Sequence, residues 1–584
     1  MFSRLRAAAR TVRQYSTTQA PKPSSTAGRV GVISAAVVSG AAGVYFGSTY
    51  FGGRNDIYTR STAPLDAVPP LQYADKNTYE VAIAEMKQVV GEDNWSVSED
   101  EILAVSDLFF STHRPPKPAE NKPSIIISPA DTQQVSQIVQ IAHKYRVPIV
   151  ANSGMTSLEG HTMHTRGPYS VSLSFSRMNK ILEFHPDDLD VVVQPAVGWQ
   201  ELAEFLQDHE KGKRLIFGPD PGMGATVGGM ASTSASGTNA YRYGTMKENV
   251  VNMTVVLADG TILKTRQRPR KSSAGYDLTR LFIGSEGTLG LITEITIKLH
   301  VKPVYEYVSI ATFPTMKDAT KTASTIVAKS GLQLNAIELL DTTMVGFVNA
   351  GGITDAKGRP KVFLEKPTLL LKIGGPTKES IHQDTKLVQQ IAKDNGVVKF
   401  ESSTSEEENA LLWSARRNGL FSTIEHGQKV LDDPNDVQCW TTDIAVPLSN
   451  LPDVISETHD DLNRSGFKGK FATMGHIGDG NCHFLLLYNK KDYGKAQAAV
   501  DRMVERTLQF EGTCTGEHGV GVGKRRFLPV ELGQPAVDLM RKIKYSLDPH
   551  AVLNPDKVVK LEAGDPLDEL LEAGHVAESG KGCC

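Results

Sequence analysis

The sequence predicts an α+β protein built in two parts, and three observations carry the prediction. From residue 118, short apolar strands and amphipathic helices alternate and feed three loops crowded with small residues. Residues 304–510 again alternate helix-like and strand-like stretches, such as 317–330 and 368–373, the pattern of a sheet covered by helices. The 584 residues are 40% hydrophobic and 22% charged, an ordinary globular composition with ample material for large buried cores. At about 150 residues per domain, the length suggests about three or four structural units. Lys+Arg 63 against Asp+Glu 66 leaves a net charge of −3, so no basic field invites nucleic acid and none is expected as a partner. The five cysteines, Cys439, Cys482, Cys514, Cys583 and Cys584, form no CxxC pair, which argues against a disulfide scaffold or a thiolate zinc site.

Residues 1–55 contain no acidic residue, whereas Arg4, Arg6, Arg10, Arg13, Lys22 and Arg29 are basic and Ser and Thr crowd residues 16–26. That composition is typical of a mitochondrial transit peptide, expected over residues 1–29. Residues 30–53 carry no charge, and a membrane-spanning helix needs about 20 such residues. Gly31, Gly40, Gly43 and Gly47 among Ala and Val, with Tyr45, Phe46, Tyr50 and Phe51 near one end, suit such a helix; a Gly/Ala linker is the alternative. A presequence followed by this segment predicts anchoring in the mitochondrial inner membrane, with the bulk of the chain facing the intermembrane space. Residues 54–117 are Pro-dotted and charged, a linker with N-terminal helices, one of them near 78–90. At the other end, residues 559–584 are read as a tail; its terminal Gly582-Cys583-Cys584 resembles a prenylation tail, but a mitochondrial protein does not meet that machinery, so those three residues are read as an inert exposed end.

The regular pattern begins with a buried strand at Ile125-Ile126-Ile127 and a helix over 131–145 with Val135, Ile138, Val139 and Ala142 on one face. A strand over 148–151 then runs into Ser153-Gly154-Met155-Thr156-Ser157-Leu158-Glu159-Gly160-His161. A strand ending in small residues bares successive backbone N–H groups, which suits an anionic phosphate, although an ordinary turn would read the same way. The second cluster, residues 218–237, is almost all small residues, and ordering it costs much conformational entropy. Such a run makes sense where a ligand lies directly against backbone. It is not the Rossmann fingerprint, because Gly222-x-Gly224 is followed by Gly228 where that pattern needs position 227. A third cluster, residues 282–292, feeds an alternating strand over 293–299.

In this order, and above all in PDPGMGATVGGMASTSASGTNAYRYG and YDLTRLFIGSEGTLGLIT, the clusters resemble the FAD domain of the vanillyl-alcohol-oxidase (PCMH-type) flavoprotein superfamily. The similarity runs from about residue 118 to residue 558 and implies a two-part PCMH-type FAD-binding domain over 118–303. An α+β cap over 304–510 (the FAD-linked oxidase C-terminal type) and a segment over 511–558 returning to the flavin would complete it. It further implies that Ser153, Gly154, Met155, Thr156 and Ser157 hold the pyrophosphate. Pro219, Gly224, Ala225, Thr226, Gly229, Gly237, Glu286 and Ile292 would line the dinucleotide. Some members bond the flavin covalently through a His in the first loop; here Met155 and Thr156 stand there and the nearest His is His161, so noncovalent FAD is expected.

The second part holds Met474-Gly475-His476-Ile477-Gly478-Asp479-Gly480-Asn481-Cys482-His483-Phe484 and, later, Gly512-Thr513-Cys514-Thr515-Gly516-Glu517-His518-Gly519. Two His residues seven apart around a Gly-rich turn can converge on one ion. With Glu517 they make a two-His, one-carboxylate set with open positions, the form of a catalytic metal site. Zinc fits these ligands and manganese is the alternative. This portion resembles the D-2-hydroxyacid dehydrogenase branch of the superfamily, which implies that His476, His483 and Glu517 hold a divalent ion and that His518 is the general base. Arg416, in Leu412-Trp413-Ser414-Ala415-Arg416-Arg417, stands where the branch places its carboxylate-binding arginine, and Arg417 competes for the role. Asn554 belongs to a closing flavin-contacting loop in which Asp556 replaces the usual Gly.

The reaction so implied is oxidation of a 2-hydroxycarboxylate held by Arg416 and the metal, with His518 taking the hydroxyl proton as the C2 hydride passes to flavin. The glutarate-oxidising members offer a Lys and an Asn to a distal carboxylate, where this chain has Thr441 and Leu485. Apolar Leu485 disfavours a buried second charge, so D-lactate is the expected substrate and D-2-hydroxyglutarate the alternative. From location, cytochrome c is the expected electron acceptor and oxygen the alternative; the chain has no CxxCH haem attachment of its own. A metallohydrolase would leave the Gly-rich half without purpose, and a scaffold flavoprotein would not need Arg416 or His518.

Overall fold

The computed structural model describes residues 59–108, 111–115 and 119–567. The chain divides into Met1–Arg60 and Ser61–Cys584, and the second unit carries all the described strands. The expected transit peptide, the uncharged segment 30–53 and the terminal Gly582-Cys583-Cys584 lie outside the described residues. Among the described residues, no helix is long and apolar enough to cross a membrane.

The first sheet contains β1 (Trp95–Ser96), β2 (Ile125–Ile127), β3 (Ile149–Asn152) and β4 (Val171–Ser174) in the order β1-β2-β4-β3. Its inner pairs β2–β4 and β4–β3 are parallel. Parallel strands need a crossover, and the helix Thr132–Tyr145 supplies it, N-capped by the Asp131 side chain on the Gln134 N–H. Val135, Ile138, Val139 and Ala142 on that helix are fully buried against Ile125, Ile127, Ile149, Val171 and Leu173. A fully buried aliphatic side chain of this size stabilises by roughly 1.5–3 kcal/mol. The helix expected near 78–90 begins slightly earlier, at Lys76–Val90, because Asp75 caps Thr78.

The second sheet is antiparallel. It comprises β5 (Ile181–His185), β6 (Asp190–Val193), β8 (Val250–Val256), β9 (Ile262–Lys264) and β10 (Leu291–Lys298), in the order β5-β6-β10-β8-β9. The short strands β7 (Leu215–Ile216) and β11 (His300–Val301) pair beside it. Within the second small-residue cluster, Val227–Thr233 forms a helix. Smallness there serves packing: a Cβ on Gly228 would lie 2.4 Å from the Cβ of Pro195.

The third sheet contains β12 (Tyr305–Thr312), β13 (Ala336–Leu340), β14 (Thr368–Gly375), β15 (Lys399–Ser402), β16 (Gln438–Thr441), β17 (Ile444–Ala445), β18 (Phe471–Gly475) and β19 (Asn481–Tyr488). Its order is β15-β12-β14-β13-β18-β19-β16, with β17 also on β19, so the expected α+β class holds. Period-two alternation divides its faces. Ile337, Leu339, Leu371, Phe484 and Leu486 face a core shared with Met316–Lys329, Lys378–Asp394, Leu451–Leu462 and Tyr493–Gln509. Leu340, Leu370, Met474 and Leu485 face Thr342–Ala350 and Glu406–Arg417. Every residue of the candidate metal site contributed by this sheet lies on the second face.

After the third sheet the chain returns to the first. Ile149 N–H donates to Val552 O at 2.7 Å and Asn554 N–H to Ile149 O at 2.8 Å, placing Leu553 beside β3.

Candidate functional site

The hairpin β18–β19 sets the two imidazoles. Met474 lies opposite His483, and the turn Ile477–Asp479 closes through Gly480 at φ 75°, so His476 and His483 project from the same face. A Cβ on Gly480 would sit 2.3 Å from Val446 O, so glycine is required there for space as well as conformation. His476 Nε2 and His483 Nε2 lie 3.1 and 3.2 Å from one oxygen, Glu517 Oε1. His483 Nδ1 donates to Thr442 O at 2.9 Å, and His476 Nδ1 faces Glu338 Oε1 at 2.8 Å. With both Nδ1 atoms engaged as donors, both Nε2 lone pairs point at a carboxylate oxygen, an arrangement that repels unless a proton or cation lies among them. Burial alone would lower the His476 pKa, but Glu338 and Glu517 raise it well above the usual value. Glu517 Oε2 is buried with no hydrogen-bond partner among the described residues. These donors therefore fit a divalent ion such as zinc or manganese.

Glu517 and His518 are placed by Asp443, which motif reading missed. Its fully buried carboxylate accepts Thr515 Oγ1 at 2.8 Å, Glu517 N–H at 2.7 Å, His518 N–H at 2.8 Å and Asn481 Nδ2 at 2.8 Å. Burial would raise its pKa, yet the neighbouring His518 and His483 bring it down to about 2. The His518 ring stacks on His483 with centroids 5.3 Å apart and 10° between planes. Burial lowers the His518 pKa, with Asp443 opposing, so the ring favours the neutral form that can accept a proton. Its Nδ1 is buried and without a partner among the described residues.

Arg416, in the last turn of Glu406–Arg417, donates through Nε to Glu338 Oε2 at 2.6 Å. Its rival Arg417 instead lines a separate cavity of about 560 Å³ with Lys372, Trp413 and Tyr305. The geometry thus groups Arg416, not Arg417, with the imidazoles. Leu485 is buried, two residues beyond His483 on the same face, and lies directly opposite Thr441 on β16. Thr441 and Leu485, the two positions expected to face a distal carboxylate, are therefore cross-strand neighbours. Glu338 was also missed, although a carboxylate inside the apolar strand Ala336–Leu340 is a legible anomaly.

The Gly-rich loops meet as ligand cradles do. A Cβ on Gly154 would lie 2.7 Å from Gly224 O, and Thr226 Oγ1 donates to Ser153 Oγ at 2.8 Å, so the first two clusters touch. Met155 takes φ 57°, Gly224 φ 84° and Gly237 φ 135°, while residues 153–157 stay partly exposed. Pro219, Ala225 and Gly237 are buried and Gly229 half-buried beside them. Ile292 is buried in the apolar cluster of the second sheet. Glu286 has an internal duty: Oε1 accepts Val520 N–H at 2.6 Å, Oε2 accepts Gly521 N–H at 2.8 Å, and its carbonyl accepts Asn554 Nδ2 at 2.7 Å. It ties the third loop to the chain just beyond His518. His161 lies 3.4 Å from Glu286 Oε2 and against Gly519. Ser157 Oγ, Ser285 Oγ and Asn554 Oδ1 are buried without partners among the described residues. Orphaned polar atoms around a backbone cradle fit a polar cofactor such as FAD.

Residues 123–266 match the FAD binding domain model, and residues 302–558 match that of the FAD linked oxidases, C-terminal domain. The chain is 45% identical over 537 residues to the mitochondrial D-lactate dehydrogenase (cytochrome) of Kluyveromyces lactis, covering 91% of this chain and 90% of that protein. It is 44% identical to D-lactate dehydrogenase (cytochrome) 1, mitochondrial, of Saccharomyces cerevisiae, covering 87% and 85%. To the glycolate oxidase subunit GlcD of Bacillus subtilis it is 31% identical, covering 82% and 96%. Among solved structures, p-cresol methylhydroxylase with substrate bound matches with a TM-score of 0.68 at 16% identity, covering 84% of this chain and 99% of that one. That likeness concerns the fold alone and agrees with the PCMH-type arrangement. The chain belongs to the FAD-linked oxidoreductase family of the D-lactate dehydrogenases (cytochrome).

Proposed function

We propose that the protein oxidises D-lactate to pyruvate and passes the electrons to cytochrome c. When bound, FAD supplies the two-electron acceptor for the C2 hydride, and a divalent ion, zinc or manganese, supplies Lewis acidity toward the substrate hydroxyl. The residues that would hold them are 153–157 with the Gly224 and Glu286 loops, and His476, His483 and Glu517. Arg416, with Nε already given to Glu338, has its Nη edge left for a bidentate grip on the substrate carboxylate. His518, neutral and stacked on His483, takes the hydroxyl proton as C2 loses its hydride. Leu485 and the apolar cluster around it offer the methyl group a wall without a polar partner.

The observation that carries this reading is the convergence of His476, His483, Glu517 and Arg416 within one hydrogen-bonded set, next to His518. The names of the relatives support the substrate, the acceptor and a mitochondrial location. We place the FAD-binding part at 118–303, the cap at 304–510 and the returning segment at 511–558. Anchoring in the inner membrane with the catalytic part in the intermembrane space rests on residues 1–53 alone. A yellow preparation bleached by D-lactate and recoloured by ferricytochrome c is the expected result. Bleaching by D-2-hydroxyglutarate with a higher kcat/KM would overturn the substrate, and faster recolouring by oxygen would overturn the acceptor.

A further inference from the structure

We propose that Glu338 is a positioning residue that couples the hold on the metal to the hold on the substrate carboxylate. The inference rests on the function proposed above and deepens it. Glu338 occupies the middle of β13, all of whose residues are buried, and its neighbours Ile337 and Leu339 point into the opposite core. An ionised carboxylate in such a strand is retained only if both oxygens are paired. Both are: Oε1 lies 2.8 Å from His476 Nδ1 and Oε2 lies 2.6 Å from Arg416 Nε.

Each contact fixes something the reaction needs. Accepting the Nδ1 proton leaves the His476 lone pair on Nε2, directed at the point marked by Glu517 Oε1 3.1 Å away. Accepting the Nε proton orients the Arg416 guanidinium, which is planar, so the whole Nη fork is aimed with it. Among the described residues, Arg416 bonds to Glu338 rather than to His476, His483 or Glu517. One rigid carboxylate therefore sets two grips on the same small substrate. Coupling through this bridge is reciprocal: a carboxylate ligand on Arg416 changes the affinity for an ion on His476 by the same factor as the ion changes that of the carboxylate.

The test uses the FAD-loaded protein with zinc affinity measured by chelator competition and D-lactate kinetics at saturating zinc. Glu338→Gln should weaken zinc binding by about 10–100-fold and raise KM more than it lowers kcat. Glu338→Asp keeps the charge but is one methylene too short to span both partners, so it should not restore wild-type zinc affinity and KM together. Arg416→Lys, which leaves β13 intact, should shift zinc affinity at least threefold although Arg416 touches no zinc ligand. Zinc affinity and KM both within twofold of wild type in Glu338→Gln, or zinc affinity unchanged in Arg416→Lys, would overturn the coupling. A wild-type protein that binds FAD but no divalent ion would instead overturn the metal site itself.

Discussion

Asp443 is the residue on which the placement of Glu517 and His518 most directly depends. Asp443→Asn keeps the shape but removes the charge from three acceptor bonds on Oδ2, those to Thr515 Oγ1, Glu517 N–H and His518 N–H. A hydrogen bond to a charged group contributes roughly 1.5–3 kcal/mol, against roughly 0.5–1.5 kcal/mol for a neutral pair. The loss is therefore about 1 kcal/mol per bond and about 3 kcal/mol for the set. In addition, the new amide NH₂ would meet the Asn481 Nδ2 donor that now gives its proton to Oδ1 at 2.8 Å. Because a chain of several sheets need not unfold in one step, the effect is best read locally. Amide exchange at Glu517 and His518 should accelerate by about 100-fold, the equivalent of about 3 kcal/mol. A catalytic base displaced by even about 1 Å costs on the order of 100-fold in turnover, so kcat should fall by about that much. Exchange at both amides within twofold of wild type, with kcat unchanged, would refute the idea that this carboxylate builds the loop.

Gly154→Ala should abolish or weaken FAD retention by at least about tenfold, because its Cβ would collide with Gly224 O at 2.7 Å; flavin absorbance per protein after gel filtration measures it. Thr441→Lys combined with Leu485→Asn should shift kcat/KM toward D-2-hydroxyglutarate over D-lactate by about tenfold or more, since the two positions are cross-strand neighbours. Burial would raise the Asp538 pKa, but bonds from Gln534, Ser61, Thr62 and Ala63 hold its carboxyl well below the usual range. A depressed carboxylate contributes stability above its unfolded pKa of about 4 and loses it as pH falls through the lower folded value. Thermal melts from pH 5 downward should therefore show wild type losing more stability than Asp538→Asn; parallel curves would remove Asp538 as the tie for residues 61–63.

The architecture was legible wherever one residue type serves one purpose. The helix Thr132–Tyr145 announced itself by its apolar period, and the hairpin bearing His476 and His483 by their spacing across glycines. What stayed hidden were residues whose partners come from distant segments. Asp443 gathers groups from the 481 and 515–518 regions, and Glu338 joins residues 78 and 138 positions away. No local pattern encodes such partners; for Glu338 the trace is a charge inside an apolar strand. Smallness misled in the other direction. Gly228 is small for Pro195 and for the helix Val227–Thr233, Gly154 is small for the close approach of Gly224 O, and Gly224 is glycine for its φ of 84°, and composition alone does not separate these purposes.

Asp556 shows how a departure from a family pattern is absorbed. The closing loop usually places glycine after Asn-Pro, and the backbone here still takes the left-handed φ of 67° that favours glycine. A non-glycine residue in that region costs of order 1 kcal/mol or more, least for Asp and Asn. The compensation lies in the side chain. Its buried carboxylate accepts Arg166 Nε at 2.7 Å, Arg166 Nη2 at 2.5 Å and Thr165 Oγ1 at 2.6 Å, a bidentate ion pair that ties the loop to residues 165–166. Arg166 also reaches Glu562 at 2.6 Å, so the chain beyond the loop is held by the same guanidinium. Removing one partner of such a buried pair costs about 3–5 kcal/mol, more than the backbone strain. Glycine at 556 would relax the turn but leave Arg166 half-paired, so reversion to the family residue is destabilising in this chain. The carboxylate is engaged by Thr165 and Arg166, and the Asn554 Nδ2 donation to the Glu286 carbonyl stands beside it.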